Sequence, residues 1–418
     1  MTSTGVPRAA WAVVALLVAG AGAGGALSGD DDRVVTVVTV APTAPPTAST
    51  APPAEPVPAE LSFVERAELA AVRLEHPCPD DVPCPFGSGS IVDSRGLILT
   101  NAHVAAPNAL GLARQYGPTD DVEDPPYLVV ALPPAPDAPA ERLYRASVVA
   151  VDGYLDLAVL RVDATVDGGP LSTSLSLPNV PLGSLAEADK DDEIRVIGYP
   201  STGDSLSPTV RRGTIASKPE DPEGNVDGPW ELNTDVPIHG GNSGGLVVDE
   251  QGRLVAVPAY SQSNDRDEEV YRARAVELAR ALVEAAQRDV PYRSQYVVER
   301  TGQEQVDEVL WSSGPAFDCI EPDDAVVSPA PQLLAVQVRL SGTADGEDVR
   351  LIVTDEDGTV VRSRSTYWTN GAEEDCLYMM WLLEDEESLV PPGTYTLSVL
   401  AGADGEEIGR STTKVVAG

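Results

Sequence analysis

From about Leu61 to Val290 the chain is built of short apolar runs broken by Gly, Pro and Asp. "GSIVDSRGLILTNAHV" reads as two strands around a "DSRG" turn, and "YRASVVAVDGYLDLAVLRV" as two more. "EIRVIGY", "VRRGTIAS" and "GGLVVDEQGRLVAVPAY" continue the series. Many short strands separated by turn signals predict an all-β barrel or sandwich. The series closes on "DEEVYRARAVELARALVEAAQ", where Tyr271, Ala275, Leu278, Leu282 and Ala285 follow helical spacing behind an acidic start, so a helix is expected there. Beyond Pro291 the texture is β again, in "QLLAVQVRL", "VRLIVTDEDGTVVRS", "CLYMMWLL" and "GTYTLSVLAGADGEEIG", with hairpin-like "EDGT" and "ADGE" turns. A small antiparallel β-sandwich is expected over 291–418.

The first 60 residues break this pattern. The run "AAWAVVALLVAGAGAGGAL", Ala9 to Leu27, follows Arg8 and precedes Asp30, Asp31 and Asp32. A cationic start, an apolar run and an acidic exit predict an export signal or a single-span, N-inside membrane anchor over 1–30. The anchor is preferred because the run approaches the ~20 residues that cross a bilayer. Either way the remainder is expected outside the cytoplasm, cell-membrane attached or secreted. Residues 31–60, with "APTAPPTASTAPPAEPVPAE", read as an extended Pro/Thr/Ala-rich linker. The expected organisation is therefore 1–30, 31–60, a main β domain over 61–290, and the sandwich over 291–418.

Charge and cysteines narrow the classes. A formal charge of −38 argues against nucleic acid as a partner, since phosphate binding wants a basic face. The cysteines are even in number, and in an exported protein they are expected to pair as Cys78–Cys84 and Cys319–Cys376. Neither pair has the C-x-x-C spacing of a zinc site, so no metal and no cofactor are expected.

The candidate chemistry lies in "DVPIHGGNSGGLVVDE", Asp235 to Glu250. Ser243 stands between Gly240–Gly241 and Gly244–Gly245. A serine hydroxyl attacks only when a base takes its proton, and the oxyanion that follows needs preorganised donors. Glycines before the serine let the N–H groups of Gly241 and Ser243 aim at one spot, and those after it leave room for substrate and close packing. The base must be histidine, and the chain has three. His76 lies in a Pro/Cys loop, and His239 is too near Ser243 in sequence. His103 follows the apolar run "GLILTNAHVA" at a strand end, where a barrel can hold an imidazole, and is chosen. For the orienting acid, Asp156 heads the strand "LAVLRV", whereas Asp152 reads as a solvated turn residue. "GNSGG" also fits the nucleophile elbow of α/β-hydrolases, but that order requires a histidine after the serine, and none follows Ser243.

The order His103, Asp156, Ser243, together with "GSGSIVDSRGLILTNAHV", "LDLAVLRV", "VIGYPS" and "LNTDVPIHGGNSGGLVVDEQGRLVAV", resembles the trypsin-like serine peptidases of the HtrA/Deg type. The resemblance covers about Gly87 to Ala286. It implies two six-stranded barrels with the site in the cleft between them, His103 as general base, Asp156 orienting it, Ser243 as nucleophile, and Gly241 with Ser243 as oxyanion hole. The sequence departs from that family in three places. Asn242 stands where digestive relatives carry an acid. His239–Gly240 replaces the Asn-Pro of the Deg branch. The region after the helix lacks a PDZ-like carboxylate-binding loop, and its strand pattern looks immunoglobulin-like.

Val236, Pro237 and Ile238, with Ala259 and Tyr260 in "AVPAY", are the expected wall of the primary substrate pocket. Without an acid there, a small or medium apolar residue is expected before the scissile bond. The acidic, Pro-rich insertion between His103 and Asp156, "GPTDDVEDPPYLVVALPPAPDAPAER", could cover the cleft or be a plain surface loop, and is read as the loop. Expected partners are protein or peptide substrates, the membrane through the N-terminal segment, and a protein or glycan on the C-terminal module. The competing reading is a catalytically silent scaffold used for extracytoplasmic binding or sensing, with a chaperone-like holdase as a third.

Overall fold

The computed structural model describes residues 61–77, 84–201, 206–221, 224, 227–263, 269–313, 331–369, 376–382 and 389–416, all within the compact unit Ala59–Gly418. The expected export segment and linker lie outside the described residues. Among the described residues no helix is long and apolar enough to cross a membrane.

The chain enters through α1 (Phe63–Ala70), started by a capping box: Glu65 N–H donates to Ser62 Oγ at 3.2 Å and Ser62 N–H to the Glu65 carboxylate at 2.7 Å. Next come β1 (Ala71–His76), β2 (Cys84–Asp93), β3 (Leu97–Thr100), α2 (Ala102–Ala105), α3 (Ala113–Tyr116), β4 (Thr119–Asp120), β5 (Leu128–Leu132), β6 (Glu141–Asp152) and β7 (Leu157–Thr165). The second half of the main domain carries β8 (Glu193–Gly198), β9 (Thr209–Ser217), β10 (Glu231–Thr234), β11 (Leu246–Val248), β12 (Leu254–Ser263), β13 (Glu269–Ala275) and α4 (Val276–Arg288). The C-terminal part holds β14 (Gln305–Ser312), β15 (Leu333–Ser341), β16 (Asp348–Thr354), β17 (Val360–Tyr367), β18 (Cys376–Leu382), β19 (Gly393–Ala401) and β20 (Glu406–Val415).

Two closed antiparallel barrels result, ordered β1-β2-β3-β7-β6-β5 and β10-β13-β12-β11-β8-β9. The expected "DSRG" hairpin joins β2 to β3, with Gly96 at φ +93 completing the turn. Ile98, Leu99, Leu157 and Leu160 on the strands of the first barrel, and Ile194, Ile197, Leu246 and Leu254 on those of the second, are buried. The two form one continuous core that extends to Tyr296. Helix α4 buries Leu278, Leu282 and Ala285 against strands of both barrels, as its spacing predicts. Its start differs from expectation. Glu269–Ala275 is strand β13, bonded on both sides by β10 and β12, and Ala273 and Ala275 turn inward with the two-residue period of a strand.

The C-terminal part is two sheets, β14-β15-β18 and β20-β19-β16-β17-β4. Their apolar faces share a second core in which Trp311, Val336, Val338 and Met379 meet Leu351, Val353, Leu397 and Val399. The likeness to an immunoglobulin fold stays an expectation, as does the division at 290/291. Cys376 is disulfide-bonded. Cys78 and Cys319 lie outside the described residues, so the pairings Cys78–Cys84 and Cys319–Cys376 also stay expectations.

One strand comes from an unexpected place. The insertion after His103 supplies β4, which pairs antiparallel with β17 through Asp120–Arg364 and Thr119–Ser365. Reading this insertion as a plain surface loop is therefore corrected: Leu128–Leu132 within it is β5, a buried strand that closes the first barrel between β1 and β6, β4 is an edge strand of the C-terminal sheet, and Leu112 and Ala113 are buried.

Candidate active site

His103 lies on α2, immediately after β3, and Asp156 lies in the turn from β6 to β7 at φ +53. That left-handed conformation is held by its surroundings: Asn101 Nδ2 donates to the Asp156 carbonyl at 2.9 Å, and His103 N–H donates to Asp156 Oδ1 at 2.9 Å. His103 Nδ1 stands 3.0 Å from Oδ1 and 2.9 Å from Oδ2. A carboxylate can only accept, so this contact selects the Nδ1–H tautomer and leaves the Nε2 lone pair open. Asp156 is fully buried, while the His103 side chain keeps 27% of its surface exposed.

Sequence reasoning missed a third member. The Tyr116 hydroxyl donates to Asp156 Oδ2 at 2.6 Å, and its ring meets the His103 imidazole edge-on at 5.3 Å. Tyr116 keeps 44% of its surface exposed, along the ring, while its hydroxyl points in to Asp156; the enclosure of that hydroxyl, then the adjacent Asp156 charge, push the phenol above its ordinary range, so it stays a donor. Nothing in the periodicity of the insertion marks Tyr116.

The Ser243 loop is clamped from the first barrel. Ser88, fully buried on β2, donates its N–H to the Ser243 carbonyl at 2.8 Å and its hydroxyl to the Gly241 carbonyl at 2.6 Å, while accepting Tyr199 N–H at 2.9 Å. Ser90 Oγ donates to the Gly245 carbonyl at 3.1 Å. Ser201 N–H and Oγ both donate to the Gly240 carbonyl, at 2.7 and 2.8 Å. Gly241 has φ +92, and a Cβ there would lie 2.6 Å from Ser201 N. Among the described residues, neither Gly241 N–H nor Ser243 N–H donates to a protein acceptor. The Ser243 hydroxyl donates to the Ala259 carbonyl at 3.0 Å. The same loop lies beside α2: a Cβ on Gly87 would sit 2.7 Å from the Val104 side chain and 3.1 Å from the Ser243 carbonyl.

The other candidates fall elsewhere. His76 ends β1 and its Nε2 is 2.9 Å from the Val104 carbonyl, behind α2. His239 is exposed, and its carbonyl accepts Asn242 N–H at 3.0 Å. Asp152 is not a solvated turn residue. It is buried, accepts Tyr292 O–H at 2.7 Å, and burial raises its carboxyl above the ordinary range. Of the expected pocket wall, Val236 and Ile238 are buried, Val236 in the barrel core, with half-buried Pro237 between them. Ala259 presents its carbonyl to Ser243. Tyr260 lines a cavity of about 870 Å³ with Tyr116, Trp230, Glu231, Arg272 and Arg274. Inside it Glu231 accepts Tyr260 O–H at 2.8 Å, Arg272 Nη1 at 2.8 Å and Arg274 Nη1 at 2.6 Å. Among the described residues no group of His, Cys, Asp and Glu is placed to hold a metal ion.

The family model for the trypsin-like peptidase domain matches residues 87–257, which contain all three candidate residues and most of both barrels. Residues 87–257 are a trypsin-like peptidase domain, similar to those of serine proteases of the HtrA/Deg type. The chain is 31% identical over 185 residues to Serine endoprotease DegS of Escherichia coli (strain K12), covering 43% of this chain and 41% of that protein. It is 30% identical over 205 residues to Serine protease HTRA2, mitochondrial, of Bos taurus, covering 46% and 36%. With Serine protease HTRA3 of Homo sapiens it shares 28% identity over 202 residues, covering 46% and 38%. The chain thus spans about two fifths of the length of these relatives.

Proposed function

We propose that this chain is an exported serine endopeptidase that hydrolyses peptide bonds through an acyl-enzyme. The observation that carries the reading is the Asp156–His103 pair beside a loop whose Gly241 and Ser243 N–H groups have no protein acceptor among the described residues. Ser243 attacks the scissile carbonyl while His103 Nε2 takes its proton, and Asp156 holds the tautomer and stabilises the imidazolium. The two N–H groups receive the oxyanion. His103 then returns the proton to the leaving amine, and water repeats the sequence on the ester. Substrates are unfolded or partner proteins, cleaved after small or medium apolar residues against Val236, Pro237, Ile238, Ala259 and Tyr260. Residues 1–30 would export or anchor the chain, residues 31–60 would space it from the membrane, and 291–418 would bind a protein or glycan.

The test is hydrolysis of a quenched-fluorescent peptide library by the full chain. Cleavage that Ser243→Ala reduces on the order of 10⁶-fold in kcat supports the assignment; a variant with wild-type turnover refutes it. A second reading, a silent scaffold for binding, draws support from one contact. The Ser243 hydroxyl is turned to the Ala259 carbonyl, and among the described residues it makes no hydrogen bond to His103. The hydroxyl would have to leave that carbonyl before attack, and uncomplexed enzymes often show such loose geometry.

A further inference from the structure

The phenol on Asp156 belongs to a segment whose position is set by the far end of the chain. Tyr116 closes the one-turn helix α3, and Gly117 at φ +82 follows it. On its N-terminal side, Gly111 N–H donates to Asp348 Oδ1 on β16 at 3.0 Å, and the Tyr154 hydroxyl donates to the same carboxylate. Ser365 Oγ on β17 donates to Asn108 Oδ1 at 2.5 Å, and Arg350 Nη2 to the Asn108 carbonyl at 3.3 Å. On its C-terminal side β4 pairs with β17, Asp121 N–H donates to the Ser363 carbonyl at 2.9 Å, and Arg364 meets Asp120 at 3.1 Å. Within the peptidase domain Gln115 Nε2 donates to the carbonyls of Gly153 and Tyr154, in the turn that carries Asp156. The segment 108–121 is therefore fastened to the C-terminal sheet at both ends, with Tyr116 between the fastenings.

We propose that Tyr116 is a positioning residue for the Asp156–His103 pair and that the C-terminal five-stranded sheet holds it in place. This rests on the peptidase reading of that pair. Oδ1 of Asp156 accepts His103 N–H, Oδ2 accepts Tyr116, and Nδ1 lies between the two oxygens. A carboxylate donated to at both oxygens cannot turn about χ2 without breaking a charge-assisted bond. The Tyr116 ring also limits the swing of the imidazole on the side facing Tyr260, whose ring lies 6.3 Å away. The C-terminal part thereby acts on the pair through Tyr116, and its own Tyr367, at the end of β17, lines the adjoining cavity.

The hydroxyl has a second consequence that separates positioning from plain packing. Its donated bond draws charge from Asp156, so removing it strengthens the carboxylate's hold on the imidazolium. His103 should then titrate at higher pH. Among the described residues the charged or titratable groups near the pair include His76 behind α2, Arg114 and Tyr154 beside α3, Glu231, Tyr260, Arg272 and Arg274 in the cavity, and Tyr367 of β17, and Tyr116→Phe removes none of them.

The test follows the imidazole resonances of the full chain by NMR as pH is varied, with kcat and KM measured alongside. With three histidines in the chain, substitution of His76 and His239 assigns His103. Tyr116→Phe should move the His103 midpoint to higher pH and lower kcat about 10-fold with KM little changed, the size expected for losing a hydrogen bond to a charged group. Asp348→Ala, which removes the acceptor shared by Gly111 and Tyr154, should move the midpoint the same way; Asn108→Ala replaces it if that variant fails to fold. A midpoint left unmoved or lowered in Tyr116→Phe overturns the positioning role. A midpoint that moves in Tyr116→Phe but in neither anchor variant overturns the part given to the sheet. A wild-type protein without turnover whose midpoint still moves overturns the peptidase reading and leaves Tyr116 in its role.

Discussion

Asp156 accepts bonds from three directions, His103 N–H, His103 Nδ1–H and Tyr116 O–H, and has no exposed surface to exchange them for water. Its loss should be felt in chemistry rather than in binding. Asp156→Asn is expected to lower kcat about 10⁴-fold, because an amide that donates to Nδ1 fixes the wrong tautomer; steady-state kinetics showing a change in KM alone would contradict this. Asp152→Asn, with its partner Tyr292 behind the turn, should leave turnover nearly intact. Its effect is on stability. Burial raises the Asp152 carboxyl, so the wild type loses stability as pH rises through that raised value, whereas the amide does not titrate. The melting temperature of Asp152→Asn relative to wild type should therefore climb from pH 4 toward pH 7, on the order of the ordinary carboxylate range and above; a constant difference would contradict it. The choice between these aspartates was legible because only one heads an apolar strand. Tyr116 was not, because its contact depends on a fold-back of the chain fixed by β17, far away in sequence.

At the level of elements, the Ser243 loop is a product of β2 as much as of its own glycines. Ser88 and Ser90 share one face of that strand by its two-residue period and reach the carbonyls of Gly241 and Gly245 across the barrel interface. The alternation "GSGS" carries that information, small and polar where a second barrel must come close, but only the partner loop shows what the hydroxyls bind. Ser88→Ala leaves the half-buried Gly241 carbonyl and the buried Tyr199 N–H without their partner. It should cost about 1–3 kcal/mol in urea unfolding and lower kcat more than KM; an unaltered midpoint and rate would show that the clamp is dispensable. The strands β2, β3, β6, β7, β8, β9, β11 and β12 were read nearly as they stand, since turn residues punctuate them, whereas β1, β5 and β10 were not read as strands. A different miss is instructive: Tyr271 and Ala275 match a helical period, yet two hydrogen-bonding neighbours make β13 a strand, because pairing overrides a short periodicity.

For the molecule as a whole, charge is the dominant bulk property. At −38 the folded chain repels itself, and salt screens exposed charge within about 10 Å at 0.1 M. The melting temperature should rise with added NaCl and do so most at low ionic strength; a fall would mean that screened ion pairs outweigh the repulsion. Architecture follows a similar division between legible and hidden. Two β bodies and the helix after the first could be read from texture, whereas the crossing of β4 into the C-terminal sheet could not, because a two-residue edge strand has no pattern of its own. That crossing joins the fate of the insertion to the fate of the C-terminal sheet.

The central claim is that Ser243 is an activated nucleophile with a working oxyanion site. It is tested most directly by treating the full chain with a fluorophosphonate probe and mapping the adduct by mass spectrometry. The account predicts one phosphonylated residue, Ser243, with labelling abolished in Ser243→Ala and strongly slowed in His103→Ala. An unlabelled wild-type protein, or an adduct that persists when Ser243 is replaced, would contradict it.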